Sequence, residues 1–112
     1  MLKISFFILR TNDIDKTKEF YQTYFGFEFE KHTDHCTPHY ASQTGGILLE
    51  IYQSKTPISP PDMIGFSGIN LEDIVSRLSQ DNIVKNPTVS KYGRFMIVKD
   101  PDERKIYLEA QK

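Results

Sequence analysis

The chain has 112 residues, 38% of them hydrophobic with eight Phe and six Tyr, so it has the material for one compact domain that buries roughly two thirds of its unfolded surface. Fourteen basic residues against fifteen acidic leave a formal charge of −1, too little field to recruit nucleic acid or an anionic membrane. No apolar run approaches the roughly 20 residues of a membrane span, the start MLKISFFILRT lacks a signal-peptide cleavage site, and the single cysteine, Cys36, permits no internal disulfide and fits a reducing cytoplasm. The expected partner is a small organic molecule or another protein.

In chain order, Ile4 to Thr11 reads as a first strand, with Phe7 and Leu9 on one face and Phe6, Ile8 and Arg10 on the other. Asp13 or Asp15 can cap a helix that runs to about Phe25, buries Ile14, Phe20, Tyr21 and Tyr24, and stops at Gly26. Phe27, Phe29 and Lys31 alternate with Glu28 and Glu30 as a second strand, and His32 to Pro38 is a polar loop. His39 to Gln43 is a short third strand. A Gly45-Gly46 turn then leads into a fourth, in which Ile47, Leu49 and Ile51 face the core while Leu48, Glu50 and Tyr52 share the other side.

The stretch from Ser54 to Asp62 holds three prolines and little to bury, and reads as an extended linker. Phe66 to Asn70 is strand-like, and Asp73 is placed to cap a helix carrying Ile74, Val75 and Leu78 that ends near Asn82. Lys91-Tyr92-Gly93 turns into a strand from Arg94 to Lys99, and Asp100-Pro101-Asp102 turns into a last strand from Lys105 to Ala110. A shift of 60 residues places Phe6 on Phe66 and Asp13 on Asp73. A shift of 59 places Ile47, Leu49 and Glu50 on Ile106, Leu108 and Glu109. The repeat predicts strand, helix, strand, strand, strand in each half, an α+β fold with curved sheets around shared space.

The stretches ILRTNDIDKTKEFYQTYFGFEFE, GGILLEIYQ and RFMIVKDPDERKIYLE, in this order and spacing, resemble the glyoxalase, bleomycin resistance protein and dioxygenase superfamily, the vicinal oxygen chelate proteins. The resemblance implies two βαβββ modules forming curved mixed sheets around a cavity: one domain over residues 1–112, with module one 1–53, linker 54–62 and module two 63–112. In metal-dependent members, ligands come from the first and last strands of each module. Carried over, those positions fall on Phe6, Glu50, Phe66 and Tyr107, of which only Glu50 is a donor of the family's type. One carboxylate does not make a divalent site, since such sites take three or more protein ligands. Glu109, on the face of Tyr107, supplies at most a second oxygen. Glu103 stands where the family's turn has glycine after Asp-Pro-Asp.

The resemblance therefore implies a cavity lined by Phe6, Tyr52, Phe66 and Tyr107, suited to an aromatic or amphipathic compound, with no metal or other cofactor. Glu50 is its polar handle, free to meet a ligand amine or hydroxyl or to pair with Arg10 or Arg94. Metal-free relatives act as homodimers that sequester aromatic or cationic compounds, which implies a homodimer here. The competing reading is a lyase, isomerase or dioxygenase with a metal held by a non-standard ligand set. A third is a protein-interaction module with its cavity filled by Phe6, Phe66 and Tyr107, and ordinary core packing accounts equally well for the two phenylalanines. His32, His35 and His39 are spaced suggestively, but on a polar loop their default place is solvent, and Cys36 among them has no identifiable activating base. No phosphate loop, nucleophile elbow or nucleic-acid motif is present.

Overall fold

The computed structural model describes residues 4–33, 37–58 and 63–111. The chain divides into two compact units, Met1–Ile58 and Ser59–Lys112. Each is a βαβββ module with one four-stranded mixed sheet, so the fold is α+β, as the repeat predicts.

In the first unit the strands are β1 (Phe6–Thr11), β2 (Glu30–His32), β3 (His39–Thr44) and β4 (Ile47–Gln53), in the order β1-β4-β3-β2. β1 runs parallel to β4, and the other pairs are antiparallel. Helix α1 (Ile14–Phe25) begins where the carboxylate of Asp13 accepts the Lys16 N–H at 3.1 Å. It ends at Gly26, whose φ of 75° a β-carbon would disfavour. Thr17, Phe20 and Tyr21 form its buried stripe, at the i, i+3, i+4 spacing of one helix face. Leu9, Leu49 and Ile51 are the buried sheet residues that this stripe complements. Burying each side chain of this size contributes about 1.5–3 kcal/mol.

Three polar contacts fix where α1 starts relative to the sheet. The buried hydroxyls of Thr11 and Thr17 lie 2.6 Å apart. The Gln53 amide donates to the Asn12 carbonyl at 2.8 Å, and its oxygen accepts the Ile14 N–H at 2.9 Å. The end of β4 is thus tied to the turn that launches the helix.

The expected second strand is shortened. Phe27 and Phe29 precede β2, because Phe27 is recruited to the helix, its ring centroid 6.1 Å from that of Tyr21, and Phe29 tilts onto Phe27 at 5.9 Å. Aromatic packing here outweighs the alternating pattern.

In the second unit the strands are β5 (Ile64–Ile69), β6 (Ile83–Ser90), β7 (Gly93–Lys99) and β8 (Lys105–Ala110), in the order β5-β8-β7-β6. β5 is parallel to β8, and the remaining pairs are antiparallel. Met96, Val98, Ile106 and Leu108 are fully buried, as are Leu71 and Ile74 of the short helix α2 (Leu71–Arg77).

Local pattern misplaces two features of this unit. The cap of α2 is Asn70, whose side chain accepts the Asp73 N–H at 3.1 Å, and Asp73 instead lies in the first turn and pairs with Arg77 at 2.8 Å. The helix closes at Arg77, and a separate 3₁₀ turn, Gln80–Asn82, follows. β6 is the strand that the repeat requires but chain-order reading does not place. It contains Asn86-Pro87, and its pairing with β7 shifts register between Lys85 and Thr88. A proline that cannot donate to the ladder is tolerated because β6 is an edge strand.

Candidate functional site

The Gly45-Gly46 turn sets the geometry of the first unit's site. Both glycines have positive φ, 61° and 81°, the requirement of a two-residue hairpin turn whose twist matches its strands. With the loop fixed at two residues, Thr44 pairs with Ile47, Ala41 with Glu50 and His39 with Tyr52. Alternation then places His39, Ala41, Leu48, Glu50 and Tyr52 on the face turned away from α1. The β1–β4 register adds Phe6 beside Leu48, Ile8 beside Glu50 and Arg10 beside Tyr52.

Glu50 meets a histidine there. Its Oε2 lies 3.1 Å from Nε2 of His39, and the two side chains are 17% and 8% exposed. Nδ1 of His39 lies 3.2 Å from the carbonyl oxygen of Thr37. Both ring nitrogens face oxygens, so a ring protonated on both nitrogens donates to each, and a neutral ring to only one.

Rings continue along the same row. The imidazole stacks on Tyr52 at 4.4 Å and 11°, His32 meets it edge-on at 5.3 Å, and the Arg10 guanidinium carbon lies 5.9 Å from the Tyr52 centroid. His39 stands at the start of the expected third strand, and its side chain is not solvated as its polar neighbours suggest. It opens β3, buried to 6% exposure. His32 closes β2, with its side chain 44% exposed and Nε2 3.7 Å from Glu30. His35, Cys36 and residues 59–62 of the proline-rich stretch lie outside the described residues.

The other expected site residues fall as follows. Phe6 is 54% exposed on the Glu50 face. Arg94 pairs with Glu72 at 2.7 Å, and the hydrogen bond from that guanidinium, helped by a backbone hydrogen bond, lowers the Glu72 carboxyl below its usual range. Tyr107 stacks on Phe95 at 4.9 Å and 10°. Phe66 is in register with Leu108, on the opposite side of that sheet from Tyr107, whose cross-strand neighbour is Gly65. Alternation along β8 makes Glu109 share the face of Tyr107.

The residue that sequence reasoning missed is His39 as the partner of Glu50. The signal was present: counting outward from a two-residue Gly-Gly hairpin puts position 39 opposite 52, one diagonal step from 50.

Among the described residues no group of three or more His, Cys, Asp or Glu is arranged to hold a metal ion. His39 and Glu50 are two donors of suitable type, already hydrogen-bonded to one another, and do not fit a metal centre by themselves. No helix among the described residues is long and apolar enough to cross a membrane.

Two βαβββ modules, each with a mixed sheet that carries a carboxylate on its helix-distal face, define a distinct class of α+β protein. The chain belongs to the glyoxalase/bleomycin resistance protein/dioxygenase superfamily, whose sequence pattern matches residues 3–108. Solved structures agree on the fold. A virulence protein from Salmonella typhimurium is 21% identical with a TM-score of 0.73, covering 100% of this chain and 98% of that one. A protein from S. aureus is 19% identical with a TM-score of 0.78, covering 98% and 94%. A mutant of the fosfomycin resistance protein FosX from Listeria monocytogenes, solved with Mn(II) and 1S,2S-dihydroxypropylphosphonic acid, is 18% identical with a TM-score of 0.77, covering 100% and 94%. A search of curated protein sequences finds no match.

Proposed function

We propose that the chain is a small-molecule-binding protein of its superfamily. It takes an aromatic or amphipathic organic compound against the helix-distal face of the first unit's sheet. The observation that carries this reading is the half-buried Glu50 carboxylate, held through one oxygen by His39 at 3.1 Å beside a stack of rings. A carboxylate that is largely withdrawn from water is costly unless its lone pairs are satisfied, and a ligand N–H or O–H is the natural partner for the other oxygen. Phe6, Ile8, Leu48 and Tyr52 supply apolar surface on the same face, and Arg10 supplies a cation at its edge. In this reading His39 is a positioning residue that orients Glu50, and the protein works in the cytoplasm as a homodimer.

The test is mass spectrometry and metal analysis of protein purified without chelator, followed by thermal denaturation with a panel of planar aromatic and amphipathic amines and alcohols. The expected result is at least one compound that raises Tm in the wild type and loses that effect in Glu50→Gln. Stoichiometric tightly bound Zn, Ni, Mn or Fe would overturn the reading in favour of a metal-dependent lyase, isomerase or dioxygenase. A panel without any effect on Tm would favour an interaction module.

A further inference from the structure

β6 is an edge of the second unit's sheet, paired with β7 on one side only. Val89 on that strand is 76% exposed, Tyr92 in the turn that follows is 69% exposed, and Val84 is open as well. Apolar side chains this open, on a strand whose outer backbone groups have no ladder partner, invite a neighbour.

The charge on this hairpin has a single sign. Residues 82–99 contain Lys85, Lys91, Arg94 and Lys99 and no Asp or Glu, in a chain whose formal charge is −1. Arg94 and Lys99 are answered from outside the hairpin, by Glu72 at 2.7 Å and Glu103 at 3.4 Å. Lys85 and Lys91 have no ion-pair partner among the described residues; their ammonium groups lie over rings, Phe95 at 5.9 Å and Tyr92 at 5.1 Å.

These features discriminate among neighbours. Pairing with a second copy of β6 gathers the lysines of both chains along one seam, and Pro87 interrupts the ladder; lysine and proline are devices that keep identical edges apart. Two unpaired cations are few beside the contacts of nucleic-acid-binding proteins, which neutralise on the order of six to ten phosphates. They also hold an anionic membrane only weakly. An acidic strand meets every feature at once. Its backbone runs along the edge, its carboxylates reach the two lysines, and the side chains alternating with them cover Val89 and Tyr92.

We propose that the outer edge of the β6–β7 hairpin is a docking surface for an extended acidic segment of another protein. Lys85 and Lys91 pair with its carboxylates, and Val89 and Tyr92 take its apolar side chains. The surface lies wholly within the second unit and stands independently of the Glu50 reading.

The probe is a fluorescein-labelled decapeptide that alternates Glu with Val, titrated by fluorescence anisotropy beside a decapeptide that alternates Lys with Val. The Glu peptide is expected to bind saturably at low salt and the Lys peptide not to bind. Lys85→Glu/Lys91→Glu should weaken the Glu peptide about tenfold or more with Tm unchanged, since both side chains are exposed. Salt at about 0.5 M should weaken it similarly in the wild type. Val89→Ser/Tyr92→Ser should weaken it too, but leave the salt dependence in place. Absence of saturable binding up to millimolar Glu peptide overturns the docking surface, as does a folded Lys85→Glu/Lys91→Glu protein that binds like wild type. Should that variant not fold, wild-type affinity in Val89→Ser/Tyr92→Ser overturns it instead. Tighter binding of polyuridylate or phosphatidylserine vesicles than of the Glu peptide overturns it as well. So does self-association of the wild type, read by light scattering, that Val89→Ser/Tyr92→Ser abolishes, because the edge then belongs to a second copy.

Discussion

His39 and Glu50 lie on neighbouring antiparallel strands one diagonal step apart, and their side chains meet at 3.1 Å with the imidazole anchored behind by the Thr37 carbonyl. Removing the histidine leaves a half-buried carboxylate without that donor, while removing the carboxylate leaves a ring still stacked on Tyr52. The two deletions are therefore unequal. His39→Ala is expected to destabilise the protein by about 1–3 kcal/mol in urea unfolding, and Glu50→Gln by less. The double variant should recover part of the His39→Ala loss, giving a coupling energy on the order of 1 kcal/mol. Strict additivity would show that the pair is not formed in solution.

Arg94 is committed to Glu72 by a 2.7 Å contact, with the Glu72 carboxyl held below the usual glutamate value of 4.5 by that hydrogen bond first and a backbone hydrogen bond second. Arg94→Gln is expected to return the Glu72 titration midpoint toward 4.5, as read by carboxyl carbon NMR. Because the folded value is the lower one, the pair's contribution is present above the unfolded value. It is lost as pH falls through the folded value. The pair is exposed, so high salt should shrink both effects. An unmoved midpoint would release Arg94 for another partner.

Asn70 and Asp73 are both residue types that cap helices, and geometry gives the role to Asn70. Asn70→Ala is expected to cost about 1 kcal/mol in thermal or urea unfolding. Asp73→Ala removes an exposed i, i+4 pair with Arg77 worth about 0.3–0.5 kcal/mol. The reverse order of effects would restore Asp73 as the cap.

β4, β8 and α1 could be read because independent signals coincide: the Gly-Gly turn with strict alternation, the Asp-Pro-Asp turn, and Asp13 with Gly26 bracketing an apolar stripe. β6 could not, since Asn86-Pro87 interrupts its pattern and only its edge position makes the proline tolerable. The site was half legible. Glu50 announces itself as an acid between Leu49 and Ile51 in a strand, but its partner sits eleven positions earlier and emerges only from hairpin register. Phe66 and Phe6 match by spacing, yet cross-strand pairing sets Phe6 beside Leu48 and Gly65 beside Tyr107, a one-residue difference that turns Phe66 to the other face of its sheet.

The turn before β8 holds a charge buried in the second unit. Asp100 is 1% exposed and accepts from the N–H groups of Asp102 at 2.9 Å and Arg104 at 3.0 Å, with the Arg104 guanidinium donating to its second oxygen. Arg104 itself is 2% exposed. Asp100→Ala strips a buried guanidinium of its closest counter-charge, and an expected loss of about 3–5 kcal/mol places it among the most damaging single changes in the chain. Glu103, just before Arg104, behaves oppositely. Glu103 is the one non-glycine residue with positive φ among those described, at 63°, and its carboxylate makes only an exposed 3.4 Å contact with Lys99. Glu103→Gly should relieve about 1 kcal/mol of backbone strain against a few tenths lost with the ion pair, so a small net rise in Tm is expected. A fall in Tm on Glu103→Gly would mean that unfolded-chain entropy outweighs the strain at this turn.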